Sequence, residues 1–210
     1  MSSGRKCRPR LVLFDFDGTI IDTMGEYADA AATLISEATG LPWREAREEY
    51  LRLSGRSFRD QLRLIGVPPD RIEGVARRFE EQKIIILERH RPDGLVWERI
   101  GRLKRCGLKT AVSTNNECRI VSRVDWLGEL FDIVLCHDPE TGKGKGLSHL
   151  KELERLGYDP CSIVFVGDSD YDLDVYKPYG VKTVRTRGLW VPDDKAIETI
   201  LGEAGCRAEQ

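Results

Sequence analysis

Asp15 and Asp17 close an unbroken apolar run, Leu11-Val-Leu-Phe14, and are followed at once by Gly18 and Thr19. A buried strand can read as continuous apolar residues, and ligands of open α/β sheets collect at the carboxyl ends of such strands. Side chains at i and i+2 of an extended segment point the same way, so the two carboxylates share one small site. Two like charges held together favour a bound cation. Alone, the segment also fits an ordinary turn, for which Asp and Gly suit local hydrogen bonding and positive φ.

Three further segments carry suitable groups where a strand is expected to end. Ser113-Thr114-Asn115-Asn116 offers hydroxyl and amide donors for an anion. Gly142-Lys-Gly-Lys-Gly146 places Lys143 and Lys145 just before a predicted helix, an arrangement suited to phosphate. Gly167-Asp-Ser-Asp-Tyr-Asp172 crowds Asp168, Asp170 and Asp172 behind an apolar run. Taken one at a time, these read equally as a common turn, a flexible glycine loop and a solvated acidic turn.

The elements that must position these groups are legible in outline. Strands are expected near 11–14, 109–114, 131–136, 162–167 and 181–185, with helices near 95–106, 117–127, 147–156 and 171–178 between them. Such alternation predicts a parallel sheet with crossover helices. Between the first two strands the pattern is helical instead. Residues 24–38 are rich in helix formers with Gly40 as a stop, 42–53 and 58–65 carry apolar residues at three and four spacing, and Pro68-Pro69-Asp70 opens a long helix closed by Pro92. The expected fold is therefore α/β: a Rossmann-like parallel sheet from residues 1–23 and 92–210, with an all-helical cap inserted over 24–91.

Composition narrows the function classes. A chain of 210 residues with 40% hydrophobic residues buries a core without staples. With 33 Lys and Arg against 35 Asp and Glu, no broad charge attracts nucleic acid or anionic lipid, so neither is an expected partner. The basic start, Arg5, Lys6, Arg8 and Arg10, reads as a solvated lead-in to the first strand. The six cysteines form no C-x-x-C pair and no zinc-like spacing, and read as reduced side chains. No signal-like leader or membrane span is evident, so the cytoplasm is the expected location. His90, His137 and His149 lack zinc or triad spacing, and the four tryptophans read as packing residues.

Taken in order, Asp15-Phe-Asp17-Gly-Thr19, Thr114-Asn115, a lysine before a helix, and Gly167-Asp168 with Asp172 resemble the motifs of the haloacid dehalogenase-like hydrolases. The resemblance spans nearly the whole chain and is to the phosphoglycolate phosphatase-like branch, whose helical cap lies between the first and second motifs. It implies a magnesium-dependent phosphatase acting on a small phosphomonoester. Asp15 would attack phosphorus to give an aspartyl-phosphate that water hydrolyses. Asp17 would protonate the leaving alkoxide and then deprotonate water. Mg2+ would be held by Asp15, the Asp17 backbone carbonyl and Asp168, with Asp172 orienting a bound water. Thr114, Asn115 and one lysine would bind the transferring phosphoryl group.

An acid at position 17 favours phosphate ester chemistry, because members acting on carbon-halogen or carbon-phosphorus bonds and the ion pumps generally lack one. Relatives often follow the lysine with proline, whereas Gly144 and Gly146 follow the two lysines here. Lys145 lies nearer the predicted helix start and is the first choice, with Lys143 as the alternative. The loop Leu53-Ser-Gly-Arg-Ser-Phe58 has the position of the family's cap loop that selects the leaving group, and Arg56 is its candidate for meeting an anionic substrate group. A phosphomutase is the alternative within the family, although Tyr27 or Ala28 stands where sugar phosphomutases carry a histidine. A non-catalytic binding protein of the same fold is the alternative outside it.

Overall fold

The computed structural model describes residues 7–206, so Arg5 and Lys6 lie outside the described residues. The four strand residues of β1 (Leu11–Phe14) are fully buried, which is why the run carries no polar residue. It is the central strand of a five-stranded sheet of order β3-β2-β1-β4-β5, with β2 at Lys109–Glu117, β3 at Ile133–His137, β4 at Ile163–Gly167 and β5 at Lys182–Arg185. All pairs are parallel.

Alternation along β1 divides the core. Leu11 and Leu13 face a cluster with Leu150, Leu153, Leu173 and Tyr176, while Val12 and Phe14 face a larger one. Leu150 and Leu153 come from α8 (Leu147–Arg155), and Leu173 and Tyr176 from α9 (Asp170–Tyr176). The opposite face is covered by α5 (Gly94–Arg105), α7 (Leu127–Leu130) and α10 (Ala196–Glu203). Asp93 caps α5, accepting from the Leu95 amide at 2.7 Å.

Between β1 and α5 the chain forms α1 (Met24–Thr39), α2 (Trp43–Arg52), α3 (Phe58–Ile65) and α4 (Pro69–Arg89). Their shared interior is aromatic. Phe79 of α4 lies 4.0 Å from Phe58, 5.7 Å from Tyr50 and 6.0 Å from Tyr27, measured between ring centroids. No helix among the described residues is long and apolar enough to cross a membrane.

The structure departs from the sequence pattern at three places. Strand β2 runs on to Glu117 instead of ending at Thr114, with an irregular register against β3 between Ser113 and Glu117. The helix expected over 117–127 is two short ones, α6 (Cys118–Val121) and α7. The break is anchored by Trp126, which stacks on Phe16 at 5.8 Å and donates its indole N–H to the His90 carbonyl at 3.3 Å. The cysteines stand in three bonded pairs, Cys7–Cys161, Cys106–Cys206 and Cys118–Cys136, which overturns the expectation of reduced side chains.

Candidate active site

Register brings the distant carboxylates together. Phe14 pairs with Val166, and the Asp15 amide continues the ladder by donating to the Val166 carbonyl at 2.8 Å. Asp15 and Asp168 therefore emerge side by side where β1 and β4 diverge, the crevice in which doubly wound sheets bind ligands. One carboxylate oxygen from each of Asp15, Asp168 and Asp172 lies within 4.8 Å of the others. Asp172 is placed by the start of α9, where Ser169 accepts from its backbone amide at 3.2 Å and donates to its Oδ2. Asp170 faces away and pairs with Arg185.

Lys145, at the entrance to α8, reaches this group from the opposite side. Its Nζ lies 2.5 Å from both Asp15 Oδ1 and Asp172 Oδ1. Lys143 is exposed, and its carbonyl accepts from the Asp138 amide at 2.9 Å, so it does not reach the site. Burial raises the Asp15 carboxyl well above its ordinary pKa; Lys145 opposes this, and Asp172 and Asp168 add to it. Asp168 is raised by burial and then by Asp172. For Lys145, burial works against the charge, but Asp15 and Asp172 outweigh it and hold the ammonium protonated. Three carboxylates facing one ammonium leave the cluster short of positive charge.

Asp17 shares the cavity but not the cluster. Its Oδ1 accepts from Thr23 Oγ1 and its Oδ2 from Asn116 Nδ2, each at 2.7 Å. Gly18, with φ +80°, turns the chain between them so closely that an added Cβ would lie 2.6 Å from Asp168 Oδ2. Thr19 is fully buried, its Oγ1 3.5 Å from Asp15 and 3.4 Å from Asp168.

The irregularity in β2 explains which of the four polar residues face the cavity. Strict alternation would send neighbouring residues to opposite faces, whereas a bulge re-aims them. Thr114, Asn115 and Asn116 all line the cavity. Ser113 turns away to meet His149 Nδ1 at 2.7 Å and the Tyr176 hydroxyl at 2.6 Å. Asn115 donates its Nδ2 to the Gly55 carbonyl at 2.7 Å, joining β2 to the loop between α2 and α3. Arg56 follows in that loop, its guanidinium 5.1 Å from the Tyr171 ring centroid.

Sequence reading brought Asp15, Asp17, Thr114, Asn115, Lys145, Asp168, Asp172 and Arg56 forward, and all line one cavity of about 80 Å³. It gave Asn116 only as one of the amide donors of 113–116, with no link to Asp17, and missed Thr23 and Lys83, which contact Asp17 and Asn116. Asn116 had a signal, since it adjoins Asn115 at a strand end. Lys83 had none, because it sits inside a helix among charged residues.

Residues 9–178 match the family model of haloacid dehalogenase-like hydrolases. Among curated relatives, the N-acetylmuramic acid 6-phosphate phosphatase of Pseudomonas aeruginosa is 27% identical, over 90% of this chain and 87% of that one. A phosphorylated carbohydrates phosphatase of Thermotoga maritima is 28% identical over 89% and 88%. Among solved structures, CbbY from Rhodobacter sphaeroides in complex with phosphate shares the fold, with a TM-score of 0.66 and 21% identity over 90% of each chain. With four motifs at four strand ends and a family match across most of its length, the chain belongs to the haloacid dehalogenase-like hydrolases.

Proposed function

We propose that this chain is a magnesium-dependent phosphatase that hydrolyses small phosphomonoesters through a phosphorylated Asp15. The observation that carries the reading is the separation of the two aspartates: Asp15 stands in the acidic cluster beside Lys145, while Asp17 is held apart by Thr23 and Asn116. Its curated relatives named above are phosphatases of phosphorylated small molecules.

The donor set fits a magnesium ion. The cluster is hard oxygen, short of positive charge, and approached so tightly at Gly18 that no side chain fills it. Asp15 and Asp168 would hold the ion, together with the Asp17 carbonyl. Asp172, held by Lys145 and Ser169, would orient a bound water and Lys145. The metal would neutralise charge on the transferring phosphoryl oxygens.

In the first step a carboxylate oxygen of Asp15 attacks phosphorus, the ester P–O bond breaks, and the leaving alkoxide takes a proton from Asp17. In the second, Asp17 takes a proton from water, whose oxygen attacks phosphorus, releasing inorganic phosphate and restoring Asp15. Lys145, Thr114 and Asn115 supply the charge and hydrogen bonds that hold the phosphoryl oxygens. Helices α1–α4, residues 24–91, serve as a cap that excludes bulk water, and Arg56 meets the leaving group.

Turnover of p-nitrophenyl phosphate, followed by a screen of phosphorylated metabolites, tests the reading. Hydrolysis is expected with Mg2+ and not after chelation, and Asp15→Asn is expected to be inert with unchanged circular dichroism. Unchanged turnover in that variant refutes Asp15 as the nucleophile.

A further inference from the structure

Helix α4 buries two charged side chains on the face it turns inward, Glu80 at 4% and Lys83 at 7% exposure. Charged residues are rarely buried so fully without a partner or a task. The partner within the helix is incomplete. Lys83 Nζ lies 3.3 Å from Glu80 Oε1, while Glu80 Oε2 has no hydrogen-bond partner among the described residues. The shorter contact leaves the helix altogether: Nζ donates to Asn116 Oδ1 at 2.9 Å.

Asn116 belongs to the sheet, at the bulged end of β2, and is itself buried. Its amide has one assignment that satisfies both neighbours. An ammonium only donates, so Oδ1 faces Lys83, which leaves Nδ2 to donate to the Asp17 carboxylate at 2.7 Å. The amide is thus clamped between a cation on a cap helix and the carboxylate of Asp17. The rings of Phe79 and Tyr27, 5.2 and 5.7 Å from Nζ, wall the ammonium off from water and strengthen its pull on the amide.

The geometry points to Lys83 as a positioning residue for Asp17, acting through Asn116, so that seating α4 on the sheet sets the orientation of that carboxylate. The inference rests on the phosphatase reading above, in which Asp17 protonates the leaving group. Lys83 touches neither the acidic cluster nor the Asp15 oxygens. It reports to Asp17 whether the cap is in place, because the Lys83–Asn116 bond exists only when the two layers meet.

The test uses leaving groups that differ in their need for a proton. p-Nitrophenolate departs readily, whereas the phenolate of phenyl phosphate is a poorer leaving group and depends on the acid. Because kcat/KM ends at the first irreversible step, it isolates transfer to Asp15 from the later attack of water. Lys83→Met is expected to lower kcat/KM for phenyl phosphate by about 100-fold, the scale of a misplaced catalytic group, and for p-nitrophenyl phosphate by less than about 5-fold, since that ester draws little on the acid. Asn116→Ala cuts the same chain from the sheet side and is expected to give the same selective loss, whether or not Lys83→Met folds. The double variant is expected to be no worse than either single one.

An equal loss on both esters in the variants that fold, or no loss in either, overturns the proposal. So does additivity in the double variant, which marks two independent structural roles. A wild-type chain inert toward both esters instead overturns the phosphatase reading, and this inference with it.

Discussion

Gly18 shows how little room the site leaves at the level of one residue. Its φ of +80° is a conformation that side chains resist, and a Cβ there would meet Asp168 Oδ2 at 2.6 Å. Gly18→Ala is therefore expected to cost roughly 1–2 kcal/mol of stability for the left-handed backbone. It should also displace Asp168 and lower phosphatase turnover by about 100-fold. Thermal melting and steady-state kinetics check the two parts separately, and a variant that keeps full turnover would show that Asp168 does not need its present place. Asp15, Asp17 and Gly18 were legible in the sequence because strand-end chemistry is local: an apolar run stops and polar residues begin. Lys83 was not, because a hydrogen bond between a helix and a sheet leaves no mark in the spacing of either, and the link from Thr23 to Asp17 depends on the turn between them.

At the level of elements, the sheet and its crossover helices follow from hydrophobic pattern, but the course of β2 does not. Its bulge turns Thr114, Asn115 and Asn116 together into the cavity, while Ser113, still in regular register with Leu135, points to the other face, where one donor sequence satisfies every group. The Gly146 amide donates to the Tyr176 hydroxyl, which donates to Ser113, which donates to His149 Nδ1, while His149 Nε2–H donates to the Cys136 carbonyl at 3.1 Å. This chain requires neutral imidazole. Burial first, and the nearby Lys145 charge as well, push His149 down to about 4 from an ordinary value of 6.5, against the pull of the Cys136 carbonyl. The unfolded chain takes up the proton as pH falls through 6.5 and the folded chain only near 4, so the stabilisation is complete above 6.5 and lost in that window. The loss is on the order of 3 kcal/mol. His149→Gln keeps a donor and an acceptor but does not titrate. Denaturant unfolding at pH 7.5 and 4.5 is expected to show a larger loss for the natural protein than for the variant. Equal losses would mean that another group governs acid stability.

At the level of the whole molecule, the cysteines bind together what the sheet alone does not. Cys7, ahead of β1, joins Cys161 in the turn before β4, at a Cα separation of 5.6 Å. Cys106, at the end of α5, joins Cys206, beyond α10, at 6.1 Å, and Cys118, at the start of α6, joins Cys136 of β3 at 5.0 Å. All three distances lie in the range that a disulfide spans. The partners are 154, 100 and 18 residues apart, so no short-range spacing rule could have paired them. Three bridges are what an oxidising compartment or the interior of a hyperthermophile sustains, and neither matches the reduced thiols expected from the sequence. Closing a loop of about 100 residues restricts the unfolded chain by roughly 5 kcal/mol, and the shortest loop by about 3. The loops overlap, so these values do not add. Reduction is therefore expected to lower the melting temperature by roughly 10 °C or more, given about 2–4 °C for each kcal/mol in a chain of this size. Thiol titration in denaturant should find no free thiol before reduction and all six after it. Six titratable thiols in the unreduced protein would show that proximity, and not bonding, is what these pairs share.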